Sequence, residues 1–127
     1  MAKHAVAAIG ATAPQGPYSH AVRAGEFLFV SGEGPLDEAG NLVGDGIAEQ
    51  TRVTMQNLAK ILDAGGASFA DVVKATVFLA SMADYDEFNR AYGEFVTSPS
   101  PARICVAAGG LWGGILVEID VIAYCGQ

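Results

Sequence analysis

The stretch PARICV, residues 101–106, sets an arginine and a cysteine two positions apart inside a short apolar run, directly after the proline-rich break SPSP. Side chains alternate along an extended strand, so Arg103 and Cys105 share one face while Ile104 and Val106 share the other. Further along, LVEIDVIA places Glu118 and Asp120 on one face with Leu116 and Ile122, and Val117, Ile119, Val121 and Ala123 on the opposite one. If the strands over 102–108 and 115–124 form an antiparallel hairpin with their apolar faces together on the core side, Arg103, Cys105, Glu118 and Asp120 collect on the other side. Two readings of such a cluster stand side by side. One is a cross-strand ion pair with Cys105 as a small filler. The other uses the planar fork of arginine to grip a carboxylate while an acid handles water or a proton. The alternation alone does not choose between them.

Other chemistries find less support. No histidine is placed by the sequence to activate Cys105 as a nucleophile. His4 and His20 show no ligand-like spacing with Cys105 and Cys125, so a zinc site is not expected. Two cysteines give no sign of an oxidising compartment. The 14 acidic and 7 basic residues leave a net charge of −7, and the basic ones are scattered, which argues against a nucleic-acid surface. No stretch approaches the ~18 apolar residues that cross a bilayer, so no membrane partner is expected. The apolar part of MAKHAVAAIG is too short for a signal peptide, and the expected location is cytoplasmic.

The chain of 127 residues suits one domain, 1–127, and its 51% hydrophobic content suits a packed core. HAVAAI reads as an opening strand, and YSHAVRAG and EFLFVSG as two strands joined through Gly25 and Glu26. GEGPLDEAGNLVGDG is a loop by composition. Ala48, Thr51, Met55, Leu58 and Leu62 form the stripe of an amphipathic helix from about 46 to 64, closed by Gly65 and Gly66. DVVKATVFLA alternates as a strand with Val73, Ala75, Val77 and Leu79 on one face. Ser81 and Asp84 resemble a capping box ahead of a second helix with the stripe Tyr85, Phe88, Tyr92 and Phe95. Two last strands, about 102–108 and 115–124, flank GGLWGG. The order β-β-β-α-β-α-β-β predicts an α+β fold, one mixed sheet with two helices on a single face. Strand residues are apolar on both faces, so the uncovered face predicts a homo-oligomer.

Over essentially its whole length the sequence resembles the RidA/YjgF reactive-intermediate deaminases, the enamine and imine hydrolases. The segments that carry the resemblance, in order, are APQGPYSHAV, FVSGEGPLDEAGNLV, QTRVTMQNLAKILDAGG, DVVKATVFLASMADYDEFNRAYGEFV, PARICV and VEID. The resemblance implies a single RidA-like domain of chorismate-mutase-like fold, assembled as a homotrimer with clefts between subunits. It implies that Arg103 holds the carboxylate of a small imine or keto acid and that Cys105 offers its backbone N–H to the reacting nitrogen or oxygen. Glu118 would position water or shuttle a proton, and Tyr18 would close the pocket and assist proton transfer. Asn89, Ser31 and Gly32 would line it. The implied reaction is hydrolytic deamination of 2-aminoacrylate-type intermediates to 2-keto acids and ammonia, with no cofactor. The alternatives are a regulatory protein that binds small keto acids and an endoribonuclease or translation inhibitor; the acidic balance weighs against the last. Two departures from the family pattern bear on the pocket: Leu111-Trp112 stands where Leu-Pro is usual, and Glu33 where glutamine is usual.

Overall fold

The computed structural model describes residues 2–126. Its strands are β1 (His4–Val6), β2 (Ala21–Ala24), β3 (Phe27–Glu33), β4 (Val72–Leu79), β5 (Ala102–Ala107) and β6 (Val117–Tyr124). Helix α1 (Ile47–Ala64) links β3 to β4, and α2 (Tyr85–Gly93) links β4 to β5. They build one mixed six-stranded sheet in the order β1-β2-β3-β6-β4-β5. Every neighbouring pair is antiparallel except β4–β5. The β2–β3 turn is the two residues Gly25 and Glu26, and Gly25 takes the positive φ of 59° that such tight hairpins require.

The anticipated pairing of the last two strands does not occur. β5 lies at the sheet edge, parallel to β4, while β6 inserts between β3 and β4. The reason lies in the connection that precedes β5. A strand, a crossing helix and a second strand pack onto a sheet as a parallel pair, and β4–α2–β5 is such a unit. The loop carrying Trp112 then steps past β4 to return the chain as β6.

The pairing also reverses the faces assigned to β5. Arg103 sits opposite Ala75 and Cys105 opposite Val77, both buried under the helices, so Arg103 and Cys105 point to the helix side. Ile104 and Val106, expected in the core, are exposed on the other face. In β4 the stripe is Val72, Ala75, Val77 and Leu79; Val73 is exposed because the ladder with β6 slips by a residue between Val72 and Lys74. Ser81 caps a short turn by accepting from the Ala83 N–H, not as the start of a capping box, and α2 ends at Gly93, before Phe95.

The core fills the space between the sheet and the helices. Leu28, Met55, Leu58, Ile61, Leu62, Val77, Leu79, Phe88, Val117 and Ile119 are fully buried there. Across the sheet, Phe27, Phe29, Ile104, Val106 and Tyr124 leave an uncovered apolar face. Among the described residues no helix is long and apolar enough to cross a membrane.

Helix α1 also buries polar side chains that tie loops to the sheet. Asn57 Nδ2 donates to the carbonyls of Gly34, at 2.9 Å, and Leu36, at 2.8 Å, just past β3. Gln50 Nε2 donates to the Gly44 carbonyl while its Oε1 accepts from the Leu116 N–H at the mouth of β6. Replacing Asn57 by alanine leaves the Leu36 carbonyl without its partner, since the Gly34 carbonyl still accepts from the Leu36 N–H, and the expected cost is roughly 1–3 kcal/mol, read as a lower urea midpoint at unchanged slope.

Candidate active site

The residues singled out by sequence fall into two groups on opposite faces of the sheet. The first gathers around Arg103. Its Nη1 donates to Asn89 Oδ1 at 2.9 Å and its Nη2 to the Tyr85 hydroxyl at 3.1 Å. The guanidinium lies over the rings of Tyr85, Phe88 and Tyr92 at 5.7, 5.5 and 5.1 Å from their centroids. Asn89 and Tyr85 are four apart on α2 and therefore share one face of it, turned to the sheet edge. Two acceptors and an aromatic floor fix the plane of a half-buried cation, leaving other guanidinium N–H groups free for a planar anion.

Cys105 stands beside this cation. Burial pushes its thiol above the ordinary value, against a smaller opposing pull from Arg103, so the sulfur is a poor nucleophile. Its backbone has a different property. Ala108 N–H bonds to the Leu79 carbonyl of β4, and successive N–H groups of a strand point to opposite sides. The Cys105 N–H therefore faces the open edge of the sheet, unpaired by β4.

The second group surrounds a pocket of about 510 Å³ lined by Gln15, Tyr18, Ser31, Gly32, Gly34, Leu36, Trp112, Ile115 and Glu118. Tyr18, Ser31, Gly32 and Glu118 thus meet as anticipated, joined by an apolar wall of Leu36, Trp112 and Ile115 that pattern reasoning did not foresee beyond Trp112. The Tyr18 hydroxyl accepts from the Gln15 N–H at 3.0 Å, which closes the turn and keeps its own proton available to donate. Ser31 Oγ donates to the Ser19 carbonyl at 2.7 Å, so toward the pocket it acts as an acceptor. Gly32 leaves room for the Glu118 carboxylate, which a Cβ there would push aside. Burial, and after it the Asp120 charge, lift the Glu118 carboxyl above its ordinary value.

The anticipated single patch of Arg103, Cys105, Glu118 and Asp120 is therefore split. Glu118 and Asp120 alternate with buried Val117, Ile119 and Val121 and so lie on the helix-free face, whereas Arg103 and Cys105 lie on the helix face. Tyr85 is the contact that sequence reading missed; its position one turn before Asn89 is the signal that could have found it. His20 is buried, its Nδ1 accepting from the Ala8 N–H and its Nε2 facing the Thr12 carbonyl. Among the described residues no group of three or more His, Cys, Asp or Glu is arranged to hold a metal ion.

A mixed sheet carrying two helices on one face, with an edge arginine gripped from α2 and a carboxylate pocket across the sheet, defines a class of small α+β proteins with polar groups set on both sides of the sheet. Comparison with known proteins narrows the class. Residues 8–125 match the family model described as endoribonuclease L-PSP. A RutC family protein of Pyrococcus abyssi is 41% identical, with 98% of each chain covered. The chloroplastic Reactive Intermediate Deaminase A of Arabidopsis thaliana is 37% identical over 95% of this chain and 65% of its own length. The crystal structure of Escherichia coli TdcF with bound serine superposes with a TM-score of 0.89 at 29% identity, covering 97% of this chain and 99% of that one. The chain belongs to the RidA/YjgF family.

The residue beside Gly32 adds a pH dependence to folding. Glu33 is 9% exposed, and burial first, then the Glu118 charge, raise its carboxyl from 4.5 to about 7. A group raised on folding contributes stability that is complete below its unfolded value and is lost as pH climbs through the folded one. Stability is thus expected to fall between pH 4.5 and about 7 by roughly 3 kcal/mol from Glu33, with Glu118 pushing the same way. Urea midpoints across that range should show the fall, and Glu33→Gln should flatten much of it.

Proposed function

We propose that this protein hydrolyses reactive enamines and imines bearing a carboxylate, releasing a 2-keto acid and ammonia, at sites built from two copies of the chain within a homotrimer. The observation that carries the reading is the separation of Arg103 from Glu118 by the sheet. One chain offers an anion clamp at its edge and, on the opposite face, an acid in a pocket. A substrate that touches both must lie between two chains. The uncovered apolar face, with Phe27, Phe29, Ile104, Val106 and Tyr124, supports association with further copies.

In such a cleft Arg103 of one copy pairs two N–H groups with the substrate carboxylate, and the outward N–H of Cys105 meets the polar atom on the neighbouring carbon. An enamine first takes a proton at carbon and releases one from nitrogen to water, becoming the imine. Glu118 of the other copy, as carboxylate, accepts a proton from water while the water oxygen bonds to the imine carbon. Tyr18 supplies a proton to the nitrogen. The resulting carbinolamine loses ammonia as its hydroxyl oxygen becomes the keto oxygen. Imines hydrolyse readily in water, so positioning and proton transfer of about 10²–10⁴-fold each suffice. The plant relative named as a reactive intermediate deaminase supports the reaction class, and TdcF with bound serine supports an amino-acid-sized ligand. The family description names a ribonuclease, but a net charge of −7 with scattered basic residues disfavours RNA.

The test generates imino acids with an amino-acid oxidase in the presence of semicarbazide. Wild-type protein should suppress semicarbazone formation, and Arg103→Ala or Glu118→Gln should lower that activity by at least about 100-fold without changing the oligomer seen by sedimentation. Co-expressed Arg103→Ala and Glu118→Gln chains should recover part of the activity, because some clefts then receive both intact groups. Full activity in Arg103→Ala would refute the anion clamp, and no recovery in the mixture would refute the two-chain site.

A further inference from the structure

The pocket that holds Glu118 has an apolar part that none of the steps just described uses. Ser31 and Gly32 lie near the end of β3, and Glu118 is the second residue of β6. The two strands are antiparallel, so the segments after β3 and before β6 leave the sheet together, and they carry Leu36, Ile115 and Trp112. Ile115 is buried, and a Cβ on Gly34 would lie 2.9 Å from its Cδ1. Leu36 is set just past that glycine by the bonds from Asn57 to the Gly34 and Leu36 carbonyls. The residue after Ile115 is held through its N–H by Gln50. Leu36 and Ile115 are thus anchored from α1. Trp112 is different: it opens a short turn, stands outside the core and is 59% exposed. An indole left in water beside a pocket is apolar area that a ligand can bury.

The chemistry of a 2-imino acid says which part of a ligand belongs there. Its reacting carbon carries a carboxylate, a nitrogen and a side chain. The inference rests on the reading proposed above, in which Arg103 and Cys105 of one copy take the first two. The side chain is left to the chain that supplies Glu118, whose remaining wall is Leu36, Trp112 and Ile115. The pocket measures about 510 Å³, within the ~300–1,000 Å³ that encloses drug-sized ligands. A methyl or methylene side chain would leave most of that space to water. A polar side chain would find few donors, because Ser31 Oγ already donates to the Ser19 carbonyl and Gln15 Nε2 to the Ala13 carbonyl. An acidic one would meet Glu118. We infer that the preferred substrates are 2-imino acids with a bulky apolar side chain, of the size of leucine's or phenylalanine's, and that Trp112 is the residue that selects them.

Binding and turnover test this separately. By titration calorimetry 4-methyl-2-oxopentanoate, the keto acid of leucine, should bind about 60-fold more tightly than pyruvate, since it buries three more carbons at about fourfold each. Bound, it should move the emission of Trp112, the single tryptophan of the chain, to shorter wavelength. Trp112→Ala should cut the ratio of the two Kd values about fivefold, and Trp112→Phe, which keeps an aromatic face, should restore most of it. In the semicarbazide assay, kcat/KM for leucine- and phenylalanine-derived imines should exceed that for the alanine-derived imine by a similar factor.

Equal Kd values for the two keto acids overturn the inference and mean that the partner copy covers the apolar wall. Failure of both to bind, an unmoved emission, or a preference untouched by Trp112→Ala overturns it as well. Turnover that favours the alanine-derived imine overturns it while leaving the deaminase reading in place. If the larger acid binds selectively through Trp112 and no imine is hydrolysed, the apolar wall is upheld and the deaminase reading falls.

Discussion

Successive side chains of a strand point to opposite faces of the sheet, and in this protein that alternation decides what each charged group can touch. α2 crosses from β4 to β5 and forces the two strands parallel, which brings Arg103 into line with Ala75 and beneath the helix. β6 runs antiparallel on the other side of β4, with Val117, Ile119 and Val121 spent on the core, so that Glu118 and Asp120 have only the helix-free face left. A cation and an acid a short way apart in sequence are thereby insulated from one another by a hydrophobic layer. Within one chain they cannot neutralise each other as an ion pair, and both stay available to a third group.

Each of the two groups is stiffened by a different device. Arg103 is held by two hydrogen bonds and three rings, all from α2, so its orientation follows that helix. The pocket is held from α1, whose buried Asn57 and Gln50 fasten the segments after β3 and before β6 that form its rim. Polar side chains in the buried face of a helix look like a flaw in its amphipathic pattern. Here they satisfy loop carbonyls and an N–H that secondary structure leaves unpaired. The two helices are bound to each other at the surface by Arg52 and Glu94, 2.8 Å apart, so the frames of the two groups are not independent.

Most of the local structure was legible in the sequence because it rests on short-range rules. Gly25-Glu26 marked the β2–β3 turn, and the spacing from Thr51 to Leu62 marked α1. Face assignment within a strand was equally plain; which neighbour each face would meet was not. Ile104 and Val106 read as core residues because apolar side chains usually seek one, yet they lie on the apolar face that this chain by itself leaves open. The parallel β4–β5 pair was within reach of the rule for strand–helix–strand units, but proximity in sequence favoured a hairpin. Val73 failed for a smaller reason, a slip in the ladder that no local pattern announces. Of the candidate site, the meeting of Tyr18, Ser31, Gly32 and Glu118 was anticipated through the family resemblance, which also put Asn89 in the pocket lining but not in contact with Arg103. Tyr85, and the burial of Glu33, needed the packed chain.

The loop between β5 and β6 belongs to neither frame. It carries Trp112 well exposed among Gly109, Gly110, Gly113 and Gly114, the last two at φ of 69° and 76°, and a Cβ at any of these four glycines would meet no neighbouring atom within 4 Å. Side chains at Gly109 and Gly110 would therefore meet nothing in this chain, whereas the positive φ at Gly113 and Gly114 holds those two positions to glycine. Arg103 and Glu118 are locked by the pleat, so mutation in this loop can reshape the rim of the pocket while the charged groups keep their stations. The shape of the pocket rim and the placement of the two charged groups are inherited on separate segments of the chain, and selection can act on the first without disturbing the second.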